Sequence, residues 1–244
     1  MNEAWDRPPA NMELSENHVD IWRTALDLPQ QQIDEYSSIL SPSELARAER
    51  FKVERKQREY IISRGLLRRV LGHVLRRDPS VFEFEYTEHD KPHLAINWHG
   101  KPVHFNISHS HERTLIAVTL NHLVGIDVEH IRGNVEFRKL ARRFFSAQEE
   151  RDLSIYTEAE LPPVFFACWT RKEAFVKALG DGIAFGLKEF SVSENPYGQE
   201  VALATHWDPG AAESWSLINI PAGPDYMAAL AVAGRNLNIR YWEY

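Results

Sequence analysis

Hydrophobic and polar positions in the first third of the chain follow two different periods. The segment "HVDIWRTAL" from His18 alternates between apolar and polar residues, which is typical of a strand. In residues 58–75 the apolar positions recur every three or four residues, so we predict a long helix there. A shorter helix is predicted after Ser41, because Pro42 follows this N-cap residue and Glu44 stands three positions beyond it.

Short strand-like segments occupy the middle of the chain. Residues 81–95 predict a strand that leads into a turn. Three further strands are predicted for "HFNISHS" (104–110), "TLIAVTL" (114–120) and "VGIDVEH" (124–130). Because only a short polar link separates the last two, we predict that they pair as a hairpin.

The rest of the chain repeats the order of helix and then strands. We predict one helix over residues 136–153 and a second over 163–180, which ends at Gly180, a natural C-cap. Strands are then predicted for "LKEFSVS", "ESWSLINI", "DYMAALAVAG" and "IRYWEY". The element order predicts an α+β fold of two similar halves, 1–122 and 123–244, after a loose polar tail over residues 1–17.

Composition and charge exclude several classes of protein. The 244 residues carry a formal net charge of −7, which argues against general nucleic-acid binding. No apolar run is long enough for a membrane span, and the first residues do not resemble a signal peptide, so we expect a cytoplasmic protein. The single cysteine, Cys168, excludes an intrachain disulfide. Basic residues concentrate between Arg47 and Arg77, where a phosphate-bearing ligand would be expected.

The segment "GIDVE" places two carboxylates, Asp127 and Glu129, on one face of a predicted strand. Ile126 and Val128 share the opposite face, which we expect to pack on a layer of helices. Most carboxylate pairs of this spacing lie on a solvent-exposed strand face. The alternative is a site for a hard cation such as Mg²⁺, which would need a third acid and a neighbouring phosphate site.

A candidate for the third acid lies on the helix predicted over residues 163–180. Trp169, Glu173 and Lys177 are spaced four residues apart and therefore line one helix face. An ion pair on the helix surface would explain Glu173 and Lys177. The tryptophan favours a partly buried position for the whole face, since large aromatic side chains usually turn towards the core.

Several residues have the chemistry of phosphate ligands. Lys91 precedes a proline in a turn, and Ser108 and His109 stand at the end of a strand. The predicted N-terminal helices contribute further positive charge through Arg47, Arg58 and Arg64. Each of these residues, taken alone, would be an ordinary surface residue. The histidines at 104, 109 and 111 also raise the alternative of a zinc site, but they lack the usual ligand spacing.

Four segments together resemble the signature blocks of the surfactin-type 4′-phosphopantetheinyl transferases: "FNISHS", "GIDVE", "RFFSAQE" and "WTRKEAFVKALGDG". "SPSELARAERF" and "DKPH" resemble weaker blocks, and the resemblance covers residues 41–192. It implies a pseudo-two-fold α+β monomer that binds coenzyme A between its halves. The implied reaction transfers 4′-phosphopantetheine to a serine of an apo acyl, peptidyl or polyketide carrier protein, with Mg²⁺ or Mn²⁺ as cofactor, and releases 3′,5′-ADP.

The resemblance also implies roles for individual residues. Asp127, Glu129 and Glu173 would bind the metal ion, and Asp127 would also lie against the coenzyme. Beyond the resemblance, we expect Glu173 to deprotonate the carrier serine, directly or through a metal-bound water, and Lys177 to stabilise phosphate oxygens. The family pattern assigns coenzyme phosphate contacts to Lys91, Ser108 and His109.

Two positions depart from the family pattern. Asp90 replaces the glycine before Lys91, and Glu44 stands where the best-known member has a basic residue. Contacts with the 3′-phosphate are therefore expected from Arg47, Arg58 and Lys91. For carrier docking the candidate is the basic segment "FRKLARRFF" (137–145), although the residues alone favour an amphipathic helix that packs on the core.

Two other functions use the same residues. A metal-dependent phosphohydrolase would attack a nucleotide pyrophosphate with water instead of serine. A non-catalytic module would bind coenzyme A or a carrier protein without modifying it.

Overall fold

Two β-sheets, each covered by a long helix, form most of the computed structural model, which describes residues 5–88, 91–94, 97–180, 186–198 and 201–244. The first part of the chain contains β1 (His18–Ala25), α1 (Gln30–Ser38), α2 (Pro42–Glu49), α3 (Glu54–Leu75), β2 (Phe84–Tyr86), β3 (Pro92–Leu94), β4 (Asn97–Trp98), β5 (Lys101–Ser110) and β6 (Arg113–Leu120). The second part contains β7 (Val124–His130), α4 (Phe137–Phe144), α5 (Ala147–Leu153), α6 (Leu161–Leu179), β8 (Phe190–Val192), β9 (Leu203–Thr205), β10 (Trp215–Asn219), β11 (Tyr226–Ala233) and β12 (Asn238–Glu243). The mixed α/β fold class is as predicted.

Local capping residues define the start of α2 and the end of α6. At the start of α2, Ser41 accepts a hydrogen bond from the Glu44 N–H, and the Glu44 carboxylate accepts one from Ser41 N–H, which completes the predicted capping box. Helix α6 ends at Gly180 with φ of 87°, as predicted for a glycine C-cap.

The two large sheets have different strand orders. The five-stranded sheet has the order β12-β1-β6-β5-β4, and the three-stranded sheet has the order β10-β11-β7. The predicted hairpin of β6 with β7 is wrong, since β7 pairs with β11. Strand β6 has β1 on one edge and β5 on the other, so it has no free edge for a third partner.

Two further predictions about local structure are wrong. Residues 136–153 form two helices, because Ser146 caps a new helix by accepting a hydrogen bond from Glu149 N–H. Residues 5–17, which precede β1, do not form a loose tail, because Met12 and Leu14 are buried in the core beside α3.

The two faces of β7 have separate packing partners. Ile126 and Val128 pack with Val19 and Leu115 in a hydrophobic cluster between the two sheets, not on a helix layer as predicted. The other face lies against α6 at close range. A Cβ atom added to Gly125 would lie 2.1 Å from the carbonyl oxygen of Ala174. The acidic face is therefore the one next to the helix.

The end of the chain adds one strand to the first large sheet. Strand β12 pairs in parallel with β1, so residues from the end of the chain complete the sheet of the first half. The division at residue 122 stays a prediction, and the pairing of β12 with β1 crosses it. Within the described ranges, no helix is both long and apolar enough to cross a membrane.

Candidate active site

A groove of about 350 Å³ lies where β5, β7 and α6 meet. It brings together most of the side chains that the sequence singled out. Its lining consists of Ile107, Ser108, His109, Asp127, Val128, Glu129, Trp169, Glu173 and Lys177. The prediction that Trp169, Glu173 and Lys177 share one face of the helix is confirmed.

Asp127 is almost completely buried at the centre of this groove. Its Oδ1 accepts hydrogen bonds from Lys177 Nζ at 2.6 Å and from Ser108 Oγ at 2.8 Å. Its Oδ2 is buried without a partner among the described residues. Burial raises the pKa of the Asp127 carboxyl, and the Lys177 ammonium opposes this effect.

Glu129 lies two residues further along β7 and is less buried. Its Oε2 accepts hydrogen bonds from Ser110 Oγ at 3.1 Å and from Arg132 Nη1 at 3.1 Å. The guanidinium of Arg132 also lies over the Phe166 ring. Ser110 and Arg132 therefore both fix the position of the Glu129 carboxylate.

Glu173 faces the two acids of β7 from helix α6. Its Oε1 is buried and has no hydrogen-bond partner in the described part of the chain. Burial, and then the nearby Asp127 charge, raise the pKa of Glu173 to about 7. A carboxyl group with this pKa exchanges its proton near neutral pH, as a general base must.

Carboxylate oxygens without partners are suitable ligands for a hard cation. Both Asp127 and Glu173 carry such an oxygen. However, within the described ranges no three or more His, Cys, Asp or Glu side chains are arranged to hold a metal ion. The carboxylates of Asp127, Glu129 and Glu173 are chemically suited to bind Mg²⁺. In this structure Asp127 forms an ion pair with Lys177.

A larger cavity of about 410 Å³ adjoins the groove, and His109 and Lys177 line both. Its wall is rich in basic residues: Arg47, Lys56, Arg64, Lys91, His109 and Lys177. Three polar atoms of this wall are buried without partners in the described structure: Tyr60 OH, Ser63 Oγ and Arg64 Nη1. Buried polar atoms are normally hydrogen-bonded, so these three indicate a polar ligand.

Lys91 links the two halves at this cavity. Its Nζ donates a hydrogen bond to the carbonyl oxygen of Lys177 at 2.5 Å. Burial and the nearby Lys177 charge lower the pKa of Lys91 to about 8. Burial likewise lowers the pKa of His109. The cavity therefore has cationic and neutral donors close together.

One predicted phosphate ligand lies elsewhere. Arg58 donates hydrogen bonds to Gln30 Oε1 and to the Leu28 carbonyl oxygen, and it lines a separate cleft. Arg64 is six residues further along α3, which at 100° per residue places it on a different side of the helix. The prediction that Arg58 shares the phosphate contacts disagrees with this position.

Two other residues are occupied by structural contacts. The Ser108 hydroxyl accepts hydrogen bonds from Val128 N–H and Lys177 Nζ while it donates to Asp127. Glu44 is buried, completes the α2 capping box and pairs with Arg68 at 2.8 Å. The acid at position 44 therefore serves the fold.

Sequence reasoning missed Tyr60 and Ser63. Their spacing with Arg64, at i, i+3 and i+4, places all three on one face of α3 and would have revealed them. The docking role expected for the basic segment 137–145 stays a prediction, and the structure places its helix α4 beside the groove. Its Phe144 packs edge-on against the ring of Trp169, which lines the groove.

Comparison with known protein families gives two adjacent matches. The description "4'-phosphopantetheinyl transferase, N-terminal" applies to residues 27–121, and "4'-phosphopantetheinyl transferase superfamily" to residues 123–231. The 4'-phosphopantetheinyl transferase HetI of Nostoc is 35% identical to this chain over 100% of both sequences. The transferase psf-1 of Bacillus pumilus is 32% identical over 77% of this chain and 78% of its own length. Sfp of Bacillus subtilis is 31% identical over 70% of this chain and 74% of its own length.

Proposed function

Because this chain belongs to the 4′-phosphopantetheinyl transferase superfamily, we propose that it moves the 4′-phosphopantetheine arm of coenzyme A onto a serine of an apo carrier protein. The observation that carries this assignment is the meeting of an acidic groove and a cationic cavity at His109 and Lys177. Coenzyme A combines several phosphates with a long neutral arm, and the reacting pyrophosphate would lie where the two spaces join.

The cavity supplies contacts for the coenzyme. Arg47, Arg64 and Lys91 line it and would bind phosphate oxygens, since Arg and Lys are the usual phosphate ligands. The unpartnered Nη1 of Arg64 supports this role. His109, whose pKa is lowered by burial, would contact the coenzyme phosphates as a neutral donor.

The transfer itself is a displacement at the β-phosphorus of the coenzyme pyrophosphate. The carrier serine oxygen forms a bond to this phosphorus while the bond to the bridging oxygen breaks, and 3′,5′-ADP leaves with the electron pair. Glu173 takes the serine proton, because its raised pKa matches neutral pH. Lys177 stabilises the negative charge on the phosphate oxygens.

A divalent cation completes the proposal. Asp127, Glu129 and Glu173 would hold Mg²⁺ or Mn²⁺, and the unpartnered oxygens of Asp127 and Glu173 support this assignment. When bound, the cation would neutralise charge on the pyrophosphate and on the leaving 3′,5′-ADP. Ser108 contributes through Asp127, because its hydroxyl donates to that carboxylate. We further propose that the protein works as a cytoplasmic monomer.

Intact-mass spectrometry tests the transfer directly. The protein is mixed with coenzyme A, Mg²⁺ and a panel of apo acyl, peptidyl and polyketide carriers. A mass gain of one phosphopantetheine on a carrier is expected, and excess chelator should abolish it. Cleavage of coenzyme A without a carrier would instead identify a phosphohydrolase. Binding of coenzyme A without any mass gain would identify a binding module.

A further inference from the structure

Three side chains of β5 form a row of hydrogen bonds to the backbone of β7. Asn106, Ser108 and Ser110 alternate along β5 and therefore share one face. They accept hydrogen bonds from the N–H groups of the residues 20 positions later, Ile126 at 2.9 Å, Val128 at 3.3 Å and His130 at 3.0 Å. We name this row the β5–β7 ladder.

The β5–β7 ladder joins two strands of different sheets. The backbone of β5 pairs with β4 and β6, and that of β7 pairs with β11. The N–H groups of β7 that do not pair with β11 need other hydrogen-bond acceptors, because an unpaired buried donor is destabilising. Side chains of β5 supply these partners, and the constant offset fixes the register of one half against the other.

Each serine of the ladder makes a second contact, with a carboxylate. Ser108 Oγ donates to Asp127 Oδ1 at 2.8 Å, and Ser110 Oγ donates to Glu129 Oε2 at 3.1 Å. Both acids lie 19 residues after their serine. A hydroxyl can accept and donate at once, so each serine fixes both the backbone and an acid. At the third position of the series stands Gly125, where α6 leaves no room for a side chain.

Ser110 differs from Ser108 in its surroundings. Ser108 also contacts Lys177 and lines the groove, so it touches several parts of the site at once. Neither the groove nor the larger cavity is lined by Ser110. The contacts that connect Ser110 with the site are those with Glu129 and with the β7 backbone.

We propose that Ser110 is a positioning residue for Glu129, through which the first half of the chain sets one acid of the second half for cation binding. This inference rests on the proposed function. The hydroxyl and the Arg132 guanidinium both engage Oε2, so the carboxylate is held by one oxygen in a fixed orientation. Ligands held by such supporting contacts bind metal more tightly, because less order is lost on binding.

The test measures cation affinity separately from turnover. Mn²⁺ is titrated into the coenzyme A-bound protein and free Mn²⁺ is followed by electron paramagnetic resonance. Ser110→Ala should weaken Mn²⁺ binding about tenfold, the usual effect of losing a supporting contact. Ser110→Thr, which keeps the hydroxyl, should bind within about twofold of the parent. The matched control is Ser216→Ala, which removes a strand serine whose hydroxyl donates only to a backbone carbonyl, that of Gly234.

A double-mutant cycle separates positioning from general damage. In a Glu129→Gln background, Ser110→Ala should change Mn²⁺ affinity no further, because the carboxylate to be positioned is already lost. If Ser110→Ala does not fold, Ser110→Cys replaces it, since a thiol keeps the size and weakens the hydrogen bonds. The affinity of the Ser110 variants for coenzyme A, measured with a chelator present, should equal that of the parent protein.

The outcomes distinguish this inference from the proposed function. A parent protein that forms holo carrier, together with a Ser110→Ala variant of unchanged Mn²⁺ affinity, overturns the role of Ser110 alone. A parent that binds no Mn²⁺ overturns it as well. A parent that gives no mass gain on any carrier overturns the proposed function itself.

Discussion

The Lys177 ammonium lies 2.6 Å from Asp127 Oδ1, so the last turn of α6 is joined to the middle of β7 by an ion pair. The pair is asymmetric, since Asp127 is nearly buried while Lys177 keeps 29% of its side-chain surface exposed. The lysine can therefore turn towards a ligand more easily than the acid can.

Removal of the Asp127 charge should stop transfer without unfolding the protein. Asp127→Asn keeps the shape of the side chain but removes a negative charge that faces Lys177 and the proposed cation. We expect the transfer rate to fall at least about a hundredfold, as for other pre-organised charged groups. Asp127→Ala should behave alike, and circular dichroism should show an unchanged fold. Asp78→Asn, an exposed capping position, is the control, and near-normal transfer by either Asp127 variant would contradict the site.

The pH dependence of transfer should report Glu173. Its pKa is raised to about 7 by burial and by Asp127 and Glu129, and Lys177 opposes them. As the general base, Glu173 must be deprotonated, so kcat/KM for the carrier should rise with pH and then level off. A bound cation favours the carboxylate form, so this inflection should lie below the value of about 7 that holds without a cation. Glu173→Gln should show low activity without this inflection, and a parent profile without any inflection on the acidic side would contradict the assignment.

The same group should affect stability with the opposite sign. Glu173 binds its proton more tightly in the folded protein than at its ordinary pKa of 4.5. Its contribution is therefore complete below about pH 4.5 and is lost as pH rises through about 7. Relative to Glu173→Gln, the parent should lose about 3 kcal/mol of unfolding free energy across this range. Urea unfolding under chelator measures the difference.

Arg64 should matter for coenzyme A and Arg58 should not. Both lie on α3, but only Arg64 lines the cationic cavity and has a buried, unpartnered Nη1 in the described structure. Arg64→Met should raise the Kd for coenzyme A about tenfold or more, because a charged hydrogen bond contributes roughly 1.5–3 kcal/mol. Arg58→Met should stay within about twofold, as usual for a surface charge. Isothermal titration calorimetry measures the Kd of both variants for coenzyme A. An equal change in Kd for the two variants would exclude Arg64 from the proposed site.

Gly125 should be essential for packing. A Cβ at this position would lie 2.1 Å from the Ala174 oxygen and 2.4 Å from the Ala178 nitrogen, both backbone atoms of α6. Gly125→Ala should therefore lower the free energy of unfolding by about 3 kcal/mol or more. Gly133→Ala is the matched control, because a Cβ there meets nothing within 4 Å. Denaturant unfolding of both variants should show a large effect for the first and a small one for the second.

The basic end of α4 should contribute to carrier docking. Phe144 links this helix to Trp169 in the groove, and the Arg143 guanidinium lies over the Phe144 ring. Reversing Arg142 and Arg143 to Glu should raise KM for an acidic carrier about tenfold and leave KM for coenzyme A unchanged. The control reverses Arg76 and Arg77, at the far end of α3. A carrier KM that does not move would exclude α4 from the interface.

Local sequence patterns predicted the elements whose ends depend on local contacts. The start of α2 and the end of α6 follow from a capping box and from a C-cap glycine. The same capping pattern at Ser146 and Glu149 was present in the sequence and was overlooked, which is why α4 and α5 were predicted as one helix. The pairing of β7 was wrong for another reason, since strand partners depend on edges that distant segments leave free.

The candidate site was predictable where side chains follow a periodic element. Strand alternation placed Asp127 and Glu129 on one face, and helix spacing aligned Glu173 with Lys177. The position of Arg58 in a separate cleft was not predicted, because a cluster of basic residues in the sequence does not show which side of the helix each residue occupies. Ser110 was missed because its role depends on the alignment of two strands that do not pair through their backbones.

The parallel pairing of β1 with β12 has a consequence for folding order. Arg23 reaches Glu243, a partner 220 positions later, so this edge of the five-stranded sheet closes only after a very long loop has formed. Such distant contacts slow folding, and until they form β1 exposes unpaired backbone groups that invite aggregation. A fragment of residues 1–122 would carry this open edge permanently. We therefore expect the chain to fold as one cooperative unit, and the two segments matched by separate family descriptions to be unsuited to separate expression.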